Sequence, residues 1–145
     1  MIESFRDLEV WREGIELTVL AYGISRKLPT EERYLLATQL RRAAASIPSN
    51  VAEGHSRAST RESARFVAIA LGSLAELETH LTVAQRVGYI DPSDLDDIGL
   101  AASQLGRKLR RLQMALHNKL AAASRSRAPV PSPQPPVPGP ESRVP

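Results

Sequence analysis

The sequence predicts an all-α fold: an antiparallel up-down-up-down four-helix bundle with a disordered Pro-rich C-terminal tail. Three observations predict it. Aromatic residues make up only 4% of the chain while alanine and leucine abound, a balance that suits helices better than sheets. Four stretches carry apolar residues at steps of three and four, the period of one helical face. Short links containing proline or glycine separate them, and short links between helices make antiparallel neighbours.

The first helix is expected to start after Asp7, a good N-cap, and to run to about Lys27. Val10, Gly14, Leu17, Ala21 and Ile24 form one seam, and Leu8, Trp11, Ile15 and Tyr22 form another beside it. Arg26 and Lys27 complement the dipole in the last turn, and Pro29 ends the helix.

The second helix is expected from Thr30, with Glu31 and Glu32 in its first turn, to about Gly54. It carries three stripes. Leu36, Leu40, Ala43, Ile47 and Val51 form the apolar one, and Gln39, Arg42, Ser46, Asn50 and Glu53 form a polar one. The third is Ala37, Arg41, Ala45, Pro48 and Ala52. A helix back is normally charged, so this alanine face implies contact on more than one side, by the bundle and by a second copy of the chain. Pro48 could end the helix at Ile47, because the residue before proline is pushed from the α region. The stripes stay in register to Glu53, which favours a helix kinked at the proline and stopped by Gly54.

Ser59 and Glu62 have the spacing of a capping box, opening a third helix that reaches about Val87. Its seam is Val67, Ala70, Leu74, Leu77, Leu81 and Ala84. Gly72, costly inside a helix, implies close approach by a neighbour. Gly88 caps this helix, and Asp91-Pro92 opens a fourth with proline at its first position. Leu95, Ile98, Ala102, Leu105, Leu109, Leu112, Leu116 and Leu120 make the last seam, expected to end near Ala122. The bundle is assigned to residues 1–123 and the tail to 124–145. Eight of eleven prolines fall in the tail, which cannot bury enough apolar surface to order itself. Pro133 and Pro136 fit the spacing of a polyproline ligand, but a spacer accounts for the segment as well.

Composition removes several function classes. There is no cysteine, hence no disulfide or thiolate metal site. No basic region precedes an apolar run at the N-terminus, and no apolar stretch approaches the ~18 residues of a membrane span, so a cytoplasmic protein without membrane contact is expected. No Glu-x-x-His pair, glycine-rich phosphate loop or H-E-x-x-H is written here. Glu76 and His80 stand one turn apart, which suits a polar pair better than a metal site. Neither an enzyme nor a cofactor is expected.

The net charge is +3, of which the tail contributes +2 through three arginines and one glutamate. The body is therefore nearly neutral, and any nucleic-acid reading rests on where its cations sit. Arg57, Arg61 and Arg65 form a ridge from the second link into the third helix. Arg107, Lys108, Arg110 and Arg111 cluster in the fourth. Either group could contact phosphates, although the second also complements a helix that opens with Asp91, Asp94, Asp96 and Asp97. The polar stripe from Gln39 to Glu53 suits an inter-helix or inter-subunit contact.

Several blocks resemble a bacterial four-helix-bundle family. They are Phe5 to Trp11; Pro29, Glu32 and Tyr34; Gln39 to Ala43; Ser46-Ile-Pro-Ser-Asn-Val-Ala-Glu-Gly54; Arg57; and Gly72-Ser-Leu-Ala-Glu-Leu-Glu-Thr79. The family includes the 23S rRNA intervening-sequence protein and the accessory variability determinant of diversity-generating retroelements. The resemblance spans about residues 5–120. It implies a non-enzymatic homopentameric barrel. In the retroelement branch it also implies binding of nucleic acid and of a reverse transcriptase; taken with the Arg57–Arg61–Arg65 ridge, the ligand expected is structured RNA or an RNA–DNA hybrid. The near-neutral body departs from the strongly basic retroelement members. The alternative on the residues themselves is a protein-interaction scaffold that binds no nucleic acid.

Overall fold

The computed structural model describes residues 2–127 and 129–140. Four helices carry the fold: α1 (Glu9–Ser25), α2 (Leu36–Ser56), α3 (Thr60–Arg86) and α4 (Asp96–Ser126). Short 3-10 turns occupy Phe5–Asp7, Thr30–Glu32 and Pro92–Leu95. Each helix packs on the one before it, and α1 closes the square against α4. Lys27, just beyond α1, pairs with Asp94, just before α4; Lys108, far along α4, pairs with Glu9 and Glu13 at the start of α1. Neighbouring helices therefore alternate in direction. The base of the bundle holds the start of α1 and the α2–α3 link. The opposite end holds the other two links.

The core follows the main seam read for each helix, whereas of the second α1 seam only Leu8 and Trp11 pack against it and Tyr22 is exposed. Leu17, Leu40, Ile47, Leu74, Leu77, Ile98, Leu105 and Leu109 are all fully buried. By composition α3 is long and apolar enough to cross a membrane. Its seam of Val67, Ala70, Leu74, Leu77, Leu81 and Ala84 is instead buried in the common core, as in a bundle helix.

Helix ends differ from expectation for local reasons. Asp7 does not cap α1. Its carboxylate accepts from the N–H groups of Glu3 and Ser4, each at 3.0 Å, and closes the preceding 3-10 turn. The second helix opens at Leu36 and not at Thr30, because Thr30–Glu32 forms a 3-10 turn. There the Glu32 carboxylate accepts from the Leu36 N–H at 3.2 Å and from the Tyr89 hydroxyl at 3.0 Å. Ser59 caps α3 by accepting from the Glu62 N–H at 3.1 Å. Glu62 then turns to Arg65 at 3.5 Å instead of completing the box. Gly88, at φ +90°, ends α3 in a Schellman motif, with Gly88 N–H donating to Gln85 and Tyr89 N–H to Ala84.

Helix α2 continues through Pro48. Gly14 of α1 makes room for the ring, since a Cβ there would lie 3.2–3.3 Å from ring atoms. Proline supplies no N–H to the Ala44 carbonyl; the Thr18 hydroxyl reaches that oxygen at 3.2 Å while also donating to Gly14 at 2.7 Å. The alanine-lined face thus turns toward α1. Ala37 and Pro48 are buried within one chain, and Ala45 and Ala52 are half-buried. No second copy is needed to cover Ala37 or Pro48, which removes part of the reason for inferring one from this face.

Gly72 also departs from expectation. It is exposed, and the space that a Cβ would fill is empty to 4 Å, so no helix of this chain approaches it. The fourth helix outlasts its predicted end and reaches Ser126. Leu112 and Leu116 are only partly buried against the core, and the residues beyond Leu120 are exposed through Arg127. At ~1.5 Å per residue α4 is nearly twice as long as α1, so its last turns outrun the base. Residues 129–140 are exposed and have no secondary structure; residues 141–145 of the predicted tail lie outside the described region.

Candidate functional site

The base of the bundle is built by a close helix approach. At Gly54 an added Cβ would meet the Phe66 Cβ at 2.9 Å, and the Ser63 hydroxyl donates to the Gly54 carbonyl at 2.9 Å. This contact brings Phe66 under the α2–α3 link. The guanidinium carbons of Arg57 and Arg65 each lie 5.3 Å from the Phe66 ring centroid, within cation–π range. Arg57 also pairs with Glu53, and Arg65 with Glu62. Arg61 is exposed and forms no ion pair among the described residues. Two members of the predicted ridge, Arg57 and Arg65, thus meet about one aromatic ring, and Arg61, one turn before Arg65, is the member without an ion pair.

The α4 cluster is divided. Arg107 and Arg110 line a groove of about 440 Å³ between α3 and α4, opposite Glu78. Arg107 donates to the Ser103 hydroxyl at 2.9 Å. Lys108 faces the other way and lies within 3.0 Å of Glu13, besides contacting Glu9. Those hydrogen bonds raise the Lys108 pKa and lower that of Glu9. Arg111 shares the Lys108 side, lining a shallow hollow with Leu8 and Glu9. Arg107 and Arg110 thus border one groove and Lys108 and Arg111 another, and Lys108 is occupied in joining α4 to α1.

The polar stripe is likewise divided along its length. Gln39, Arg42 and Glu53 are exposed. Ser46 meets the buried Ser73 of α3, oxygen to oxygen at 2.8 Å, and Asn50 donates to the Ser46 hydroxyl at 2.9 Å and carbonyl at 2.7 Å. The stripe thus supplies an α2–α3 contact at its centre, where buried hydroxyls need partners. The two longest sequence blocks, Ser46–Gly54 and Gly72–Thr79, meet at this Ser46–Ser73 bond. Ile47 and Val51 of the first are core, Pro48 fills the Gly14 gap and Gly54 seats Phe66. Most of that motif is packing.

Glu76 and His80 stand 3.4 Å apart as a simple pair, and no group of three metal-ligating side chains occurs among the described residues. Spacing gave no sign that Arg26, Arg33 and Arg41 line one hollow at the opposite end of the bundle, because the 3-10 turn that gathers them was read as helix.

The sequence profile of a family described as 23S rRNA-intervening sequence protein matches residues 6–111, which takes in α1, α2, α3 and about the first half of α4. The chain belongs to that family. A solved structure from Bacteroides thetaiotaomicron VPI-5482, described as a protein with unknown function from the S23 ribosomal protein family, has the same fold. Its TM-score is 0.67 at 22% identity, covering 72% of this chain and 97% of that one. No curated protein matches the chain. The family match stops before the overhanging end of α4 and the proline-rich segment, so membership speaks for the bundle alone.

Proposed function

We propose that the protein is a non-enzymatic, oligomeric accessory protein that binds structured RNA or an RNA–DNA hybrid through the base of its bundle. The observation that carries this is the pair of guanidiniums of Arg57 and Arg65 about Phe66, with Arg61 one turn before Arg65 on α3, exposed and without an ion pair among the described residues. Guanidiniums there supply phosphate contacts, and the family description supports a link to ribosomal RNA. In a ring the same arginines would recur around one rim and their charge would add.

Two grooves support assembly. One of about 350 Å³ lies between α1 and α2, with Phe5, Trp11, Ile15, Ala45 and Ala52 in its walls. The other is the α3–α4 groove, on the opposite side of the square. A contact between two different faces is head-to-tail, and it generates a ring where the rotation between copies closes. Five copies is the number the family resemblance implies, and a reverse transcriptase is the partner implied by its retroelement branch.

Gel shifts with a structured RNA test the binding. Arg61→Glu with Arg65→Glu should abolish the shift at low salt, whereas Arg42→Glu should leave it. Equal shifts in all three proteins would exclude the base as the binding face. The apolar α1–α2 groove also favours a second reading, a scaffold for a protein partner. A single co-purifying protein unaffected by nuclease would support that reading instead.

A further inference from the structure

We propose that the hollow beneath the α1–α2 link binds a phosphomonoester group. The hollow has a volume of about 360 Å³, and Ser25, Arg26, Thr30, Arg33 and Arg41 supply its polar lining. Three arginines line it, and no acidic residue does. None of the three has an ion-pair partner among the described residues.

Arg41 is held in place. Its guanidinium carbon lies 5.8 Å from the Tyr22 ring centroid, and one of its nitrogens donates to the Ser25 hydroxyl oxygen at 3.4 Å. Ser25 in turn donates to the Tyr22 carbonyl at 2.7 Å, which leaves its lone pairs to Arg41. Arg33 lies over Tyr34 at 5.9 Å. The nearby Glu32 is engaged elsewhere, with the Leu36 N–H and the Tyr89 hydroxyl.

Ordinary helix electrostatics explain only one of the three cations. Arg26 follows the C-terminus of α1, where a cation is favoured. Arg33 belongs to the link, and Arg41 lies near the start of α2, where the dipole gives a cation nothing. Three cations without a counter-charge match a dianion better than a carboxylate or a single phosphodiester. Guanidinium forks also bind phosphate oxygens in pairs. The hollow holds a phosphate and a small substituent. It lies at the end of the bundle away from Arg61, so the site does not depend on RNA binding at the base.

A free mononucleotide and the 5′ end of an RNA strand present the same group, and calorimetry on the full chain separates them. The ligands are inorganic phosphate, AMP, adenosine, and one short RNA carrying either a 5′-phosphate or a 5′-hydroxyl. Phosphate and AMP should bind and adenosine should not. Arg33→Gln and Arg41→Gln should each weaken AMP by roughly tenfold or more, and Arg61→Gln should leave it unchanged. Binding of the 5′-phosphorylated RNA alone, lost in both pocket variants, would assign the site to RNA ends and sustain it. The proposal is overturned if no phosphomonoester binds at millimolar concentration. It is equally overturned if Arg33→Gln, at an exposed position and with helicity checked by circular dichroism, binds as the parent does.

Discussion

The Thr18 hydroxyl lies 3.2 Å from the Ala44 carbonyl, the oxygen that residue 48 would bond in a regular helix and that Pro48 cannot. One α1 side chain thus makes an α2 proline tolerable, and Gly14, one turn earlier on α1, makes room for its ring. Thr18→Val, which keeps the shape and removes the hydroxyl, should cost about 1 kcal/mol. In a Pro48→Ala background the restored N–H serves Ala44 and that cost should shrink. Denaturant unfolding of the four proteins as a double-mutant cycle measures the coupling; identical costs in both backgrounds would show that the hydroxyl does not answer the proline.

Two glycines should respond in opposite directions. At Gly54 a methyl group would press on the Phe66 Cβ at 2.9 Å, and no rotamer change can move that atom. Gly54→Ala should destabilise by roughly 1–3 kcal/mol through overpacking. Gly72→Ala enters empty space and should stabilise by about 1 kcal/mol through helix propensity. Thermal unfolding ranks them, and loss of stability in Gly72→Ala would mean that another chain covers that position.

The Lys108 contacts set a pH dependence. Glu9 accepts from Lys108, which holds its carboxyl below the ordinary 4.5. Its contribution is present above that value and is lost as the pH falls through the lowered one. Lys108 is raised above 10.5, first by its hydrogen bond to Glu9 and then by that to Glu13. Its contribution is complete below 10.5 and is lost only as the pH climbs through the raised value. Lys108→Met should therefore flatten the acid limb of a melting-temperature profile below about pH 4.5. An unchanged limb would place the acid sensitivity elsewhere, with Asp7 and Asp94, both also lowered, as the next candidates.

How far the sequence could be read depended on whether a partner was local. The seams of α1, α3 and α4 and the stop at Gly88 depend on spacing within one helix, and they were legible. The true start of α2 was not, because Thr30–Glu32 is held through Glu32 to Tyr89, 57 residues away. Lys108 was counted with its neighbours for the same reason, its carboxylates lying 95 and 99 residues off. The separation of Lys108 from Arg110 was within reach, since residues two apart on a helix point about 160° apart, whereas Arg107 and Arg111 differ by only about 40° and spacing could not divide them. The hollow lined by Arg26, Arg33 and Arg41 depended on a link whose course spacing did not reveal.

Assembly is tested by mass. Light scattering after size exclusion should give a value near five chains, and Ala52→Arg, which thrusts a long cation into the α1–α2 groove, should give a folded single chain. A parent protein that is monomeric at micromolar concentration would exclude the ring.

The role of the three arginines at the base is tested most directly by the salt dependence of RNA affinity. The logarithm of the association constant, plotted against the logarithm of salt concentration, should fall steeply for the parent. Each of Arg57→Gln, Arg61→Gln and Arg65→Gln should reduce that slope by about 0.7–0.9, with Arg61 showing the largest loss of affinity because no carboxylate offsets it. A slope and affinity unchanged in the triple variant would contradict the account.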